Sequence, residues 1–263
     1  FPIIRRGTVR KTLPSIMRKA RCRMEHPTYE QALRALLQTQ KVQDVRDGLL
    51  RGSFVRAVNF HATIVRDKEK LERQLEGYAR HFSNVTVADL DRFLDTGIWH
   101  KEKPGLIPAV FEGFRDHFDV MAPLLDQYGL IGWFHIPSFY PDVPVAEQAE
   151  YGEVHQLHAH PDEYPDGRCA MNWDEIRAIA KKHVLCCHSG SHYQIPLDSS
   201  DEDMERDIVQ AKHHLERMAE APCEVYCWLY GEEFSYNPRA AEYIRKAGFR
   251  YVVGNLKVER VMR

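Results

Sequence analysis

The sequence predicts an α/β fold, built as a parallel sheet or a (β/α) barrel. Short segments rich in Val, Ile and aromatic residues alternate with amphipathic segments from residue 54 to the end of the chain. The length of 263 residues suits one such barrel, or one domain with an appended arm. Polar residues stand where several predicted strands end, which is where barrels carry their chemistry.

The predicted elements follow one another as strand and helix repeats. Strands are expected at residues 54–62, 106–113, 129–136, 184–188, 225–231 and 249–253. Helices are expected at residues 67–82, 86–94, 115–128, 172–182, 201–220 and 237–248. Thr86 and Asn172 are the expected caps of two of these helices, because their side chains can accept a hydrogen bond from the first turn.

Residues 1–51 differ from the barrel region, which is residues 52–263. They are rich in Arg and Lys, and a helical pattern begins at Thr28 with Gln31 three residues later, which is a capping box. We interpret this region as a basic helical arm that packs on the barrel or on a partner subunit. The sequence therefore leaves open whether the protein is a homo-oligomer. A solvated basic face is an equal alternative interpretation of residues 1–51.

Composition excludes some classes of partner. Hydrophobic residues make up 44% and charged residues 28%, and the formal charge of −2 gives no electrostatic reason to expect nucleic acid as a partner. No apolar run approaches the roughly 18 residues that span a bilayer. Six cysteines without metal or redox spacing suggest reduced, buried thiols, which favours a cytoplasmic protein. Export after removal of a signal peptide stays open.

The strongest local motif is His188-Ser-Gly-Ser-His192, which leaves an apolar strand on a turn. Two imidazoles at this spacing can converge on one divalent cation. Two surface histidines are the alternative, and the buried strand that precedes them favours the metal site.

Four further segments accompany this motif in a fixed order. They are Glu112-Gly-Phe-Arg-Asp, Met171-Asn-Trp, Trp228-Leu-Tyr-Gly231 and Ala247-Gly-Phe. In this order the segments resemble those of the polysaccharide deacetylases, the NodB-homology or carbohydrate esterase family four. The motif from His188 to His192 is similar to the His-[Ser/Thr]-x-x-His metal motif of that family.

The resemblance implies a deformed (β/α) barrel, to which the N-terminal helical arm is added, and a hydrolase of carbon–nitrogen bonds. It implies a divalent metal, with zinc expected, held by Glu112, His188 and His192. The segment Val58-Asn-Phe-His-Ala resembles the opening of the subgroup that contains poly-N-acetylglucosamine deacetylases, so His61 is the expected catalytic acid. Tyr230 and Trp228 are the expected substrate contacts on a carbohydrate or a small acetamido compound.

One departure from the family pattern concerns the catalytic base. Where the family has an Asp base followed by an Asp ligand, this chain has Phe111 followed by Glu112. Phe111 cannot accept a proton, and positioned proton transfer typically contributes about 10²–10⁴-fold. Glu112 itself, Glu232 or Glu233 are the candidate substitutes.

Three functions follow as hypotheses. The first is metal-dependent N-deacetylation of an amino-sugar glycan or a small acetamido compound, with Glu112 and His61 as catalytic residues. The second is a catalytically degenerate member that binds a glycan or a protein partner, which Phe111 favours. The third is hydrolysis of a small amide or imide. A cluster of His155, His158 and His160 is interpreted as solvated or substrate-facing, with a second metal site as the alternative.

Overall fold

The structure is a computed structural model that describes residues 54–230, 237–254 and 257–262, together with Arg34. The predicted arm, residues 1–51, therefore lies outside the described residues apart from Arg34, and so do Glu232 and Glu233.

The strands are β1 (Val55–Phe60), β2 (Ser83–Asn84), β3 (Gly105–Phe111), β4 (Trp133–Ile136), β5 (Val184–Cys187), β6 (Val225–Cys227), β7 (Tyr251–Val253) and β8 (Val258–Arg260). The helices are α1 (Lys68–His81), α2 (Val87–Thr96), α3 (Ala122–Gln127), α4 (Gln148–Val154), α5 (Trp173–Ala180), α6 (Asp201–Met204), α7 (Ala211–Ala219) and α8 (Pro238–Lys246). Wider π-helical turns, His117–Met121 and Glu205–Gln210, lead into α3 and α7.

The strands form one sheet in the order β1-β3-β4-β5-β6-β7-β8, and β2 pairs beside the start of β3. Neighbouring strands are parallel except β7 and β8, which are antiparallel. Helices lie in the connections between the successive parallel strands from β3 to β7. The predicted (β/α) barrel is confirmed, and it is deformed because, among the described strands, β1 and β8 end the sheet without pairing to each other.

Local sequence explains where the helices begin. Thr86 accepts a hydrogen bond from the Asp89 backbone amide, and the Asp89 side chain accepts one from the Thr86 amide. Asn172 and Glu175 form the same reciprocal pair at the start of α5. Each box satisfies amides that the first turn of a helix leaves without partners, so both predicted caps are confirmed.

The two faces of the sheet carry separate cores. One face packs against helices α1, α3, α5, α7 and α8, through residues such as Phe134, Leu185 and Tyr226. The other face packs against α2 and its flanking residues, through Trp133, Cys186 and others. Successive strand residues point to opposite faces, so every second residue of β3, β4 and β5 faces the inside of the barrel.

Several elements were not predicted. Strands β2 and β8 and helix α4 have no counterpart in the sequence-based assignment, which left residues 137–171 as a loop. The five described cysteines are buried, as the sequence predicts. Among the helices that the structure describes, none is both long and apolar enough to cross a bilayer.

Candidate active site at the carboxyl ends of the strands

The sequence-predicted site residues lie along one edge of the sheet. His61 follows β1, Glu112 follows β3, His188 follows β5, and Trp228 and Tyr230 follow β6. We call this edge the rim. Because parallel strands end at the same side of a barrel, the fold brings together residues that are far apart in the sequence.

The histidine motif is a tight turn that a neighbouring helix holds in place. The backbone amide of Gly190 donates to the Asp207 carbonyl at 3.0 Å. The amide and hydroxyl of Ser191 both donate to the Asp207 carboxylate, at 2.7 and 2.6 Å. Asp207 is fully buried and also accepts two hydrogen bonds from Arg206. The turn is therefore fixed by a satisfied buried carboxylate on the π-helical turn at Glu205–Gln210.

Gly190 is required by the packing of this turn. A Cβ atom at this position would lie 2.3 Å from Cε2 of the Phe139 ring. The ring belongs to the chain that follows β4, whose Phe139 amide donates to the Gly190 carbonyl at 2.9 Å. The exits of β4 and β5 are thus locked together.

Two hydrogen bonds orient the imidazoles. Nδ1 of His188 lies 3.2 Å from the Cys227 carbonyl oxygen, and Nδ1 of His192 lies 2.6 Å from the His155 carbonyl oxygen. A carbonyl only accepts, so each Nδ1 carries the proton and each Nε2 has a free lone pair. The ring centroids are 5.1 Å apart. This is the tautomer and the support that histidine ligands of metals typically have.

Both imidazoles are neutral at neutral pH. Burial, followed by the charge of His192, holds the pKa of His188 well below its ordinary value. Burial also lowers the pKa of His192 to about 4. Metal binding requires the neutral form, so the pair needs no deprotonation before it can hold a cation.

Glu112 is a buried carboxyl group with an unsatisfied oxygen. Within the part of the chain that the structure describes, its buried Oε2 atom has no hydrogen-bond partner. Burial, followed by the charge of Asp116, raises the pKa of Glu112 to about 8. A buried acceptor of this kind fits a cation, which would supply the missing partner and lower the pKa.

The structure does not join Glu112 to the histidine pair as a complete metal centre. Among residues 54–230, 237–254 and 257–262, no three His, Cys, Asp or Glu side chains are grouped to hold a metal ion. The same finding covers the second site considered at His155, His158 and His160. The histidine pair fits a metal by its tautomer and charge, and the assignment of Glu112 as the third ligand stays a prediction.

Phe111 places an apolar ring at the position to which the sequence resemblance assigns the catalytic base. Its ring stacks on the rings of His61 and His135, with centroids 5.3 and 4.4 Å apart. The rings of Phe111 and His188 are arranged edge to face, with centroids 5.4 Å apart. The register explains the stack, because Phe111 pairs directly with His135 on the neighbouring strand. An imidazole therefore lies on each side of the ring that replaces the carboxylate.

His135 is a site residue that the sequence reasoning missed. It is fully buried, and neither ring nitrogen has a hydrogen-bond partner among residues 54–230, 237–254 and 257–262. Burial, followed by the charge of His61, lowers its pKa to about 3, so the ring is neutral. In the sequence it stands within the apolar strand Trp133–Ile136, which reads as core. Only its register with Phe111 shows that it lies at the rim.

Two buried residues, His117 and Asp116, fix the backbone at and after His61 through hydrogen bonds. Nε2 of His117, a fully buried residue, lies 2.7 Å from the His61 carbonyl oxygen. Asp116 accepts hydrogen bonds from the amide and hydroxyl of Thr63, at 3.2 and 2.9 Å. The His61 side chain is 59% exposed, and its Nε2 lies 3.9 Å from Oε1 of Glu112. Partial desolvation, followed by the charges of His117 and His158, lowers the pKa of His61.

The two predicted substrate contacts have different surroundings. Tyr230 is 43% exposed and donates a hydrogen bond from its hydroxyl to Oε1 of Gln156. Trp228 is 5% exposed, and its ring meets Tyr226 edge-on within the main core. Tyr230 is accessible to a ligand in this structure, and the Trp228 ring is not.

Left-handed backbone is concentrated at the rim. Outside glycine, six described residues have a positive φ, and Glu220 is the one that simply ends a helix, α7. The other five are at or beside the site: Glu112, Gln156, Ser189, His192 and Tyr230. Such residues cost roughly 1–2 kcal/mol each and persist where the surrounding structure imposes them, often at functional sites. Gln156 is the member of this group that sequence reasoning did not identify.

Comparison with known families agrees with this architecture. The model of the polysaccharide deacetylase family matches residues 116–252, just over half of the chain. The match begins after Glu112, so His61, Phe111 and Glu112 lie outside it. No curated protein matches the chain.

Solved structures of deacetylases share the fold. A de-N-acetylase from Aggregatibacter actinomycetemcomitans has a TM-score of 0.57 and 14% identity, over 80% of this chain and 91% of that one. IcaB from Ammonifex degensii has a TM-score of 0.54 and 16% identity, over 80% and 86% of the two chains. The Streptococcus pyogenes deacetylase PplD, solved with acetate, has a TM-score of 0.56 and 9% identity, over 74% and 80%.

At such low identity these structures establish a shared fold, and the family match establishes membership. The chain belongs to the polysaccharide deacetylase family and is a hydrolase that acts on carbon–nitrogen bonds.

Proposed function

We propose that this protein is a metal-dependent N-deacetylase of an amino-sugar glycan. The observation that carries the proposal is the His188 and His192 pair, whose Nδ1 atoms are engaged by backbone carbonyls. Both imidazoles are neutral, and Glu112 has a buried oxygen for which the described residues supply no partner. These features support a divalent ion, with zinc or a similar ion expected from the nitrogen and oxygen donors.

When bound, the ion would polarise the carbonyl of the acetamide. The chain's own residues supply the proton chemistry. In the reaction, water oxygen bonds to the acetyl carbon, the carbon–nitrogen bond breaks, and acetate and an amine are released. His61 is the proposed donor of the proton to the amine nitrogen, since its ring is exposed at the rim beside Glu112.

The acceptor of the proton from water differs from that of the family pattern. Phe111 cannot take it. We propose that another carboxylate does: Glu112, if it acts as base rather than as metal ligand, or else Glu232 or Glu233, which lie outside the described residues. This is an active site with rerouted proton transfer. The family match and the fold do not favour the two alternative functions, a degenerate binder and a small amide or imide hydrolase.

Metal content and acetate release test the proposal together. We expect purified protein to hold about one divalent ion, by elemental analysis, and to release acetate from chitotetraose. A chelator should abolish release, and zinc should restore it. The His192→Ala variant should lose both metal and activity. His213→Ala, which changes an exposed histidine on α7, is the matched control. Metal-free protein with full activity would overturn the proposal.

A further inference from the structure

A short segment after α4 crosses the rim. It comprises residues 155–158, and we call it the strap. The carbonyl of His155 accepts the hydrogen bond from His192, and Gln156 accepts one from the Tyr230 hydroxyl. The segment belongs to the connection that leaves β4, yet it reaches residues beyond β5 and β6. It therefore spans three strand ends.

The position of the strap is set by the protein core. Leu157 is 3% exposed, and its amide donates to the Gly152 carbonyl at 2.8 Å. The His155 ring stacks on Tyr151 at 4.0 Å between centroids, and Tyr151 stacks on the buried Tyr140 at 5.5 Å. A segment held in this way presents its remaining side chains in fixed directions.

Gln156 and Tyr230 form a strained, polar pair. Both have left-handed backbone, with φ of 58° and 59°, and their side chains meet in one hydrogen bond. Both side chains are exposed at the rim, so a ligand can reach the phenol and the carboxamide. A carboxamide and a phenol each donate and accept hydrogen bonds, which is the chemistry that recognises sugar hydroxyls.

We infer that Gln156 is a specificity-determining residue, which acts with Tyr230 to bind ring hydroxyls of the glycan and favours it over acetamides that lack hydroxyls. The inference rests on the proposed function. Gln156 positions the Tyr230 hydroxyl at the edge of the site, and the two side chains then bind the sugar as one unit.

Steady-state kinetics of the zinc-loaded protein test the inference. The variants are Gln156→Leu, Tyr230→Phe and the double variant, and the substrates are chitotetraose and acetanilide. We expect each single variant to raise the KM for chitotetraose roughly 3- to 10-fold, the effect of one neutral hydrogen bond, with little change in kcat. The double variant should be no worse than the poorer single variant, because the two residues act together. The kcat/KM for acetanilide should not change.

Gln127→Leu makes the same chemical change on an exposed site of α3 and is the matched control. An unchanged KM in Gln156→Leu, with an active wild type, would overturn this inference alone. Equal losses on both substrates would also overturn it, since they would indicate a general structural role. A wild type that neither binds nor deacetylates chitotetraose would overturn the proposed function itself.

Discussion

The rings of Phe111 and His135 lie face to face, 4.4 Å apart between centroids and 8° from parallel. Phe111 stands where the sequence resemblance assigns the base of the family. His135 is a buried imidazole that has no hydrogen-bond partner among the described residues. The relationship places a neutral imidazole beside the position to which the resemblance assigns the carboxylate.

Replacing Phe111 with Asp tests whether proton transfer is rerouted. We expect Phe111→Asp to raise acetate release less than about 10-fold, because the wild type already has a working acceptor. Phe111→Leu is the control for loss of the ring. A gain of about 10²-fold or more, the usual contribution of a positioned base, would show that the wild-type corner is disabled.

Replacing His135 with Leu tests whether its buried ring lacks a hydrogen-bond partner. An unsatisfied buried polar group costs about 1–3 kcal/mol, so we expect His135→Leu to raise the free energy of unfolding by about 1 kcal/mol in urea denaturation. His183→Leu is the matched control, because Nδ1 of His183 accepts a hydrogen bond from the Gly132 amide and its loss should destabilise the protein. If His135→Leu is as destabilising as His183→Leu, then His135 has a partner, such as a buried water.

Replacing His61 with Ala should affect activity and leave stability nearly unchanged. Its side chain is largely exposed, and its backbone is held by His117 independently of the ring. We expect acetate release to fall about 10²-fold or more, with the metal content and Tm close to wild type. His81→Ala, an exposed histidine at the end of α1, controls for removal of an imidazole. A large fall in Tm would show that His61 is structural.

The raised pKa of Glu112 predicts a pH dependence of the metal-free protein. Its pKa rises from 4.5 to about 8 on folding, so the native state holds a proton that the unfolded chain has released. Stability therefore falls as pH rises towards 8. The buried histidines have lowered pKa values, so they make stability rise with pH, and they do so below about pH 6.5. We expect the free energy of unfolding to fall by about 1 kcal/mol between pH 6.5 and 8, and Glu112→Gln to abolish this slope. An equal slope in Glu112→Gln would contradict the assignment.

Alanine substitution at Gly190 tests the packing of the histidine turn, and the same substitution at Gly77 is its control. A Cβ at Gly190 would overlap the Phe139 ring, whereas one at Gly77 in α1 would meet nothing within 4 Å. We expect Gly190→Ala to cost about 1–3 kcal/mol and to weaken zinc binding, measured by titration calorimetry. Gly77→Ala should gain about 0.5–1 kcal/mol through helix propensity. Unchanged zinc affinity in Gly190→Ala would show that the turn tolerates the displacement.

Local signals predicted most of the fold. Thr86 and Asn172 each begin a helix through a reciprocal cap, which depends only on residues three apart. Strand β2 has two polar residues, and β8 has the sequence Val-Glu-Arg, so neither shows a buried pattern. Both exist because a neighbouring strand, β3 or β7, offers an edge. Pairing of this kind is set by tertiary contacts, which a single sequence does not display.

The candidate site likewise combines features that local sequence displays with features that only tertiary contacts create. The spacing of His188 and His192 and the place of Glu112 after a strand are visible in the sequence. The positions of His135 and Gln156 depend on strand register and on a hydrogen bond between residues 74 positions apart. Neither relationship has a local pattern.

The left-handed residues at the rim limit how this protein can be engineered. At each of these positions glycine would adopt the same backbone without a steric penalty, so a search for thermostable variants would tend to select it. At Glu112, His192, Gln156 and Tyr230 the side chain would be lost with the strain. A heat-resistant variant obtained in that way would keep the barrel and lose the groups proposed to hold the metal and the sugar. Stabilising substitutions are better sought at α1 or elsewhere away from the rim.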